Sequence, residues 1–251
     1  MKNNYLFLVS ILLVLSTASC KKKVESCKLG KSYISDGSST PNPNIFSYYS
    51  DGRLQKIEYS NNTKDTLIYN ADTLVVRTLD NTDSTTAVFT GVLNSAGNVT
   101  TGTKVYLDYS GNITSTESYL LEYNAEGNLT QKSVTDATGL TILSITYNGN
   151  NSATGTLFIA GVLDRKYTFY HSGVSNKTDI DDMNGVFTPY FGSRSANLLD
   201  STFIITSTDT TKIQYSHTLD ANEYVQKTIQ TYLNHGADTK YLTYQYFDCN
   251  K

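Results

Sequence analysis

The sequence predicts an all-β fold, a large antiparallel up-and-down meander of about 12 to 16 strands that curls into a barrel-like or half-barrel sheet. Three observations support this prediction. Short segments alternate between apolar and polar residues, a glycine-centred turn recurs between them, and helical periodicity is nearly absent. The abundance of tyrosine and of β-branched residues agrees with strands.

Alternation with a period of two predicts strands that have one wet face. The clearest segment is 211–219, in which alternate residues from Ile213 onwards form the apolar side. The segment 103–109 repeats the pattern, with Val105 on its apolar side. Its predicted wet side consists of Lys104, Tyr106 and Asp108.

A five-residue repeat marks the predicted hairpin turns. It has glycine third and an apolar residue fifth, at 50–54, 95–99, 109–113 and 125–129. A fifth copy at 220–224 has Asn222 in the place of the glycine. Glycine supplies the positive φ that a tight hairpin needs, and asparagine is the next best residue. Repeated hairpins build a meander in which each strand pairs with its sequence neighbour.

The N-terminus has the pattern of a bacterial lipoprotein signal. After a basic start comes an apolar run of about 11 residues at 5–15, which is short of the roughly 20 that span a membrane. Small residues precede Cys20, and three lysines follow it. We expect a signal peptide at 1–19, a lipidated tether at 20–26 and a single β-meander domain at 27–251. The alternative is a buried core segment at the N-terminus.

A lipid on Cys20 predicts an address in the cell envelope. Acyl chains such as palmitate contribute about 0.8 kcal/mol per buried CH₂, so two or three anchor a polar protein stably. Lys21 stands where an aspartate retains many lipoproteins in the inner membrane, which favours the outer membrane. The periplasmic face and the cell surface both stay open.

The composition limits the classes of partner that we expect for this protein. The net charge is −3 with 17% charged residues, so no basic footprint for nucleic acid is present. We expect contact with the membrane through the N-terminal lipid, and a small-molecule, glycan or protein ligand. The 20 tyrosines have rings with a polar tip that suit sugars and interfaces, although ordinary strand composition is the simpler interpretation.

Two cysteines remain after the lipidated one. An even count in an oxidising compartment favours a disulfide between Cys27 and Cys249. That bond would place the first and last strands side by side, as in a closed or nearly closed sheet. Two buried free thiols are the alternative.

The segment 179–199 interrupts the strand rhythm and is predicted to be a long irregular ligand loop. Its candidate ligand residues are Asp179, Asp181, Asp182, Asn184, Ser195 and Asn197. A calcium loop needs an oxygen ligand at position 5 and glycine at position 6, where this chain has Met183 and Asn184. A solvated acidic loop is therefore favoured, with calcium as the alternative, and no metal ligands are assigned.

At this loop the chain resembles uncharacterised Bacteroidetes lipoproteins, a domain of unknown function with a porin-like fold. The shared elements are Cys-x-Leu at 27–29, Tyr-x-x-Asp-Gly-Arg-Leu-x-x-Ile at 48–57, Gly-Ser-x-Ser-x-Asn-Leu at 192–198 and a tyrosine-rich, cysteine-closed strand at 241–249. In its turn chemistry the chain is also similar to the Tyr-Asp hairpin-repeat proteins. The resemblance implies a large curled antiparallel sheet and no assigned activity.

Motifs for catalysis are lacking in the sequence. His171, His217 and His235 are not paired at metal-binding spacing, and no Gly-x-Ser-x-Gly elbow occurs. His217 lies on the apolar side of its predicted strand, which predicts a hydrogen-bonded core histidine. No catalytic residue is assigned.

An Asp-Ser/Thr motif resembles the O-glycosylation site of exported Bacteroidetes proteins. Its acceptor residues are Thr66, Thr73, Ser84, Ser201 and Thr210.

The leading hypothesis is a non-enzymatic binding or scaffold lipoprotein whose ligand is a glycan, a lipid or a protein. A hydrolase is the first alternative, and it predicts two carboxylates about 5 to 10 Å apart in the concave face. A pore-like barrel is the second alternative, and it needs strands of about 9 to 11 residues with an outward apolar band.

Overall fold

The computed structural model describes residues 28–35, 42–149, 152–175, 197–233 and 239–247. They form sixteen antiparallel strands in one closed barrel, in which each strand pairs with its sequence neighbours and the last pairs with the first. The strands are β1 Lys28–Ser35, β2 Asn44–Tyr48, β3 Leu54–Glu58, β4 Lys64–Asn70, β5 Thr73–Leu79, β6 Thr85–Leu93, β7 Val99–Leu107, β8 Ile113–Tyr123, β9 Leu129–Asp136, β10 Gly139–Tyr147, β11 Ser152–Ile159, β12 Val162–Ser175, β13 Asn197–Ile205, β14 Thr210–Leu219, β15 Val225–Tyr232 and β16 Thr239–Phe247. The predicted all-β meander is confirmed, at the upper end of the expected strand number. The part of the chain that the structure describes contains no helix long and apolar enough to cross a bilayer.

Strand direction gives the barrel two distinct ends. Because successive strands run in opposite directions, the start of β1, the end of β16 and the turns after even-numbered strands share one end, here called the N-terminal end. The turns after odd-numbered strands lie at the other end, here called the far end. The β7–β8 turn at 108–112 is therefore at the far end, and the β8–β9 turn at 124–128 is at the N-terminal end.

Apolar side chains fill the interior near the N-terminal end. Val99 and Leu129 each start a strand after a turn at this end, and both are fully buried. Two tyrosines that end their own strands hydrogen-bond to this layer: the Tyr123 hydroxyl donates to the Val99 carbonyl at 2.7 Å, and the Tyr147 hydroxyl donates to the Leu129 carbonyl at 3.1 Å. These bonds satisfy buried carbonyls next to the turns. We call this layer the apolar floor.

The turn repeat forms tight hairpins, as predicted. The four predicted glycines have φ values between 81° and 91°, in the region that glycine adopts without a steric cost. At 220–224 the prediction is wrong, because the residue with positive φ is Glu223 (67°) and not Asn222. The turn is set by Asp220, whose amide donates to the Tyr224 carbonyl and whose carbonyl accepts from the Glu223 amide. The turn therefore begins one residue later than the repeat at 220–224 predicts.

Barrel closure places the first and last described strands side by side. Lys28 at the start of β1 pairs with Phe247 at the end of β16. Cys20, Cys27 and Cys249 lie outside the described residues, so lipidation and the disulfide stay predictions. The strand pairing agrees with the side-by-side arrangement that the disulfide hypothesis requires.

Candidate functional site

Most of the predicted ligand loop lies outside the described residues. This applies to Asp179, Asp181, Asp182, Asn184 and Ser195, and with them to the calcium hypothesis. Asn197 is the first residue of β13 and pairs with Ser175 of β12. Across the described ranges, no group of three or more histidine, cysteine, aspartate or glutamate residues is placed to hold a metal ion.

A polar cluster lies on the inner face of three neighbouring strands, β7, β8 and β9. We call it the lumenal cluster, and its members are Lys104, Tyr106, Glu117, Tyr119 and Lys132. Sequence reasoning did not identify it as a site. It placed Lys104 and Tyr106 on the wet face of their strand, opposite the apolar side, whereas the structure turns them into the barrel.

Strand register establishes this inward orientation. Lys104 pairs with Phe89 of β6 on one side and with Glu117 on the other. Lys132 pairs with Leu121 of β8 and Leu143 of β10. Directly opposite residues share a face of the sheet, and Phe89, Leu121 and Leu143 are buried in the core. The charged residues therefore face the lumen. The prediction for 103–109 is wrong, because the side predicted to be wet is the side that faces inward.

Glu117 is the centre of the cluster. The Tyr106 hydroxyl donates to its Oε1 atom at 2.9 Å, and the Tyr119 hydroxyl donates to its Oε2 atom. The Lys104 Nζ atom lies 4.7 Å from the centre of the Tyr106 ring, and the Lys132 Nζ atom lies 5.8 Å from that of Tyr119. Each lysine is thus held over the face of an aromatic ring, where a cation is attracted.

Burial has the largest effect on the pKa of Lys132. Burial lowers the pKa of Lys132 because it disfavours the ammonium form. The nearby Glu117 carboxylate opposes this effect, while the Lys104 charge adds to it. The pKa remains lowered, so burial and the second lysine outweigh the single carboxylate.

The cluster is accessible from the lumen. All five members are half-buried, and Ser115, which pairs with Tyr106, is exposed. Tyr106 and Ser115 adjoin the 108–112 turn and therefore lie towards the far end. The apolar floor is at the opposite end. A ligand that enters from the far end would meet the cluster before it meets the floor.

The predicted core role of His217 agrees with its geometry. Its Nε2 atom lies 2.7 Å from the Leu199 carbonyl oxygen, and its Nδ1 atom lies 2.9 Å from the Thr228 hydroxyl. Since a carbonyl only accepts, Nε2 carries a proton and donates to Leu199. His171 differs, because neither of its ring nitrogens has a hydrogen-bond partner in the described structure.

A second carboxylate, Asp65 on β4, is buried in the inner face. It accepts hydrogen bonds from the Tyr59 and Thr78 hydroxyls, both at 2.7 Å. Four strand spacings of about 4.8 Å separate β4 from β8, or roughly 19 Å along the wall. Asp65 and Glu117 therefore do not form the close pair that the hydrolase alternative predicts.

The predicted O-glycosylation acceptors differ in accessibility. Ser84 and Thr210 are exposed, and Thr66 and Thr73 are half-buried. Ser201 is only 8% exposed, which leaves no room for a sugar on its hydroxyl in the folded barrel. Accessibility therefore favours the other four positions.

No protein-family model matches the chain, and no curated protein sequence matches it. Solved structures share its fold, among them two porin-like proteins. A porin-like protein from Bacteroides uniformis ATCC 8492 has a TM-score of 0.66 and 18% identity, over 87% of this chain and 98% of that one. A porin-like protein from Bacteroides vulgatus ATCC 8482 has a TM-score of 0.62 and 10% identity, over 89% of this chain and 100% of that one. The similarity establishes the porin-like barrel fold that the sequence resemblance implied.

Proposed function

We propose that the protein is a lipid-anchored, non-enzymatic binding protein of the cell envelope, and that its lumen holds a glycan. The lumenal cluster carries this proposal. An ionised carboxylate offers about four acceptor positions, and tyrosine hydroxyls occupy two of them on Glu117. The remaining positions suit sugar hydroxyls, and the two lysines can donate to sugar oxygens.

The aromatic rings supply the apolar part of such a site. Phe89 and Tyr119 meet edge to face, with ring centres 5.4 Å apart. Rings of this kind pack against the C–H faces of a sugar while their polar tips bind its hydroxyls. The arrangement combines a carboxylate, cationic donors and rings within one patch of the inner wall.

The difference between the two ends of the barrel supports a lipid-anchored binding protein. The described chain starts and ends at the N-terminal end, next to the apolar floor. A lipid on Cys20 would attach this end to the outer membrane, with the polar cluster towards the end that points away. Acylation is tested by mass spectrometry of the protein from its native host, and Cys20→Ser should move it from the membrane to the soluble fraction.

Glycan binding is tested by isothermal titration calorimetry of the barrel without its lipid against a panel of neutral and acidic oligosaccharides. Glu117→Gln should weaken the binding of neutral oligosaccharides at least about tenfold, the scale of one or two lost charged hydrogen bonds. Glu122→Gln is the matched control, since Glu122 lies exposed on the same strand and should bind as the wild type does. Absence of any oligosaccharide binding, or equal losses in both variants, would contradict the proposal.

The closed sixteen-stranded barrel also favours a pore as a second candidate. Against it, β2 and β3 have only five residues each, about half of what a spanning strand needs. The exposed Arg77 pairs with Thr66 and Val88 on the outer face, where a membrane would require apolar residues. We therefore expect no conductance in a planar bilayer, and stable single-channel currents would reverse this ranking.

A further inference from the structure

We propose that the lumenal cluster selects an acidic sugar, one that bears a carboxylate, over its neutral counterpart. This inference rests on the proposed function and names the ligand class of the same site. Three features carry it: the charge count of the cluster, the bonding of Glu117 and the position of the two lysines.

The charges of the described cluster have a positive sum. Among the described residues, two lysines and one glutamate face this part of the lumen. The buried carboxylate Asp65 lies four strands away and accepts hydrogen bonds from Tyr59 and Thr78. A ligand carboxylate would bring the local charge close to neutral.

The hydrogen bonds of Glu117 limit how far its carboxylate can pair with the two lysines. Both of its oxygens accept a tyrosine hydroxyl, although Lys104 is its direct partner across the ladder. The described contact of Lys104 is instead with the ring of Tyr106. Its Nζ atom is a point charge with three donors, of the kind that an incoming carboxylate oxygen can engage.

Lys132 supplies the second contact. Its backbone pairs with Leu121 and Leu143, and burial partly desolvates its ammonium. Glu117 does not fully offset this cost, since the pKa stays lowered. An anion placed between Lys132 and Lys104 would favour the charged form of both, because attraction strengthens where water is excluded. A neutral sugar would gain hydrogen bonds at the site but not this charge pairing.

The test uses two probes with the same sugar backbone, tri-galacturonic acid and its fully methyl-esterified form, in which a neutral methyl ester replaces each carboxylate. Calorimetry on the wild-type barrel should show the acid binding at least about tenfold more tightly, with the difference shrinking at high salt. Lys132→Met and Lys104→Met should each reduce this preference several-fold. Lys166→Met is the control, since Lys166 pairs with the exposed Ile205 on the outer face and should leave the preference unchanged.

The outcomes separate the two proposals. If the ester binds as tightly as the acid, the selection for acidic sugars is wrong while glycan binding survives. If no member of the oligosaccharide panel binds, the proposed function itself fails. Should Lys132→Met not fold by circular dichroism, the acid-to-ester ratio of wild type and of Lys104→Met still decides the question.

Discussion

The backbone of Glu223 lies in the left-handed region, with φ at 67°. The Cβ atom of an L-residue is crowded there, at a cost of about 1 to 2 kcal/mol. The two hydrogen bonds that Asp220 receives from the Asn222 and Tyr224 amides, both at 2.9 Å, hold the turn in this conformation. The turn therefore tolerates a residue that its local conformation disfavours.

Glu223→Gly should stabilise the protein by about 0.5 to 1 kcal/mol, because relief of the backbone cost exceeds the entropy that glycine adds to the unfolded chain. Thermal unfolding followed by circular dichroism measures the gain. Glu126→Gly is the control, since Glu126 occupies a β8–β9 turn position without positive φ and should give no gain. A lower melting temperature for Glu223→Gly would contradict this account of the turn.

His171 provides a pH dependence at the residue scale. Burial lowers its pKa below the ordinary value of 6.5. Below about pH 6.5 the unfolded chain therefore binds more protons than the folded one, so stability falls as the pH falls. His171→Leu should lose less melting temperature between pH 7.5 and pH 5 than the wild type does. Identical pH profiles for the two proteins would show that His171 does not contribute.

At the scale of strands, one aromatic ring covers two glycines. Gly91 of β6 pairs with Gly102 of β7, and the Phe89 ring occupies the space that their side chains would fill. A Cβ atom on Gly102 would lie 2.5 Å from the Phe89 ring. The glycine pair is therefore required by packing, because Phe89 is itself buried beside Tyr119 of the lumenal cluster.

Gly102→Ala should destabilise the barrel by about 1 to 3 kcal/mol through overpacking, and it should weaken glycan binding by displacing the Phe89 ring. Gly173→Ala is the matched control, because a Cβ atom there meets nothing within 4 Å. Urea unfolding of both variants measures the difference. Equal stability of the two would rule out the packing role assigned to Gly102.

The β2–β3 hairpin is the most weakly joined element of the wall. It is connected to β1 by two residue pairs and to β4 by three, whereas β6 and β7 each have seven pairs with their outer neighbours. Where β3 departs from β4, a notch of about 250 Å³ opens. There the Tyr49 hydroxyl donates a hydrogen bond to the Leu67 carbonyl at 2.8 Å. This side-chain bond takes the place of a backbone hydrogen bond between the two strands.

Local opening should therefore begin at this hairpin, since fewer bonds must break. In native-state hydrogen exchange followed by mass spectrometry, we expect the amides of 44–58 to exchange before those of 85–107. The hairpin at 85–107 is the internal control for the same barrel and the same conditions. Simultaneous exchange of both segments would mean that the wall opens as one unit.

At the scale of the whole molecule, closure depends on the pairing of β1 with β16. Lys28 and Phe247, the terminal residues of that pairing, adjoin the segments that contain Cys27 and Cys249. A disulfide there would close a loop of about 220 residues, for which loop entropy alone gives up to about 5 kcal/mol. The bond would stabilise the closed barrel at the seam between β1 and β16.

We expect neither cysteine to react with a thiol label until the protein, with Cys20 replaced by serine, is reduced. The double variant Cys27→Ser, Cys249→Ser should unfold at a lower temperature, and reduction should lower the wild-type melting temperature to a similar value. Labelling of both thiols without reduction would show that the seam is held by strand pairing alone.

The residue that follows the turn motif is buried at one end of the barrel and exposed at the other. Val99 and Leu129 follow it at the N-terminal end and are fully buried, whereas Ile113 follows it at the far end and is 64% exposed. The motif specifies a hairpin, since a few adjacent residues determine turn geometry. Whether the next residue is buried depends on which end of the barrel the hairpin occupies.

The candidate site had no comparable local signal. Lys104, Glu117 and Lys132 come from three strands, and each occurs in a polar segment that is typical of a solvated face. In a barrel wall both faces can carry polar residues, so alternation predicts a strand without stating which side faces inward. That ambiguity led to the wrong orientation for 103–109.

The sequence by itself determined the strands, their neighbour-to-neighbour order and the hairpins, because alternation and turn chemistry act over a few residues. The tertiary structure alone decided that the sheet closes, which face of each strand lines the lumen and which charges meet there. Those outcomes depend on the register between strands and on the pairing of β1 with β16, which join residues that are far apart in the chain. The lumenal cluster is therefore a product of closure, although each of its residues lies in a strand of ordinary appearance.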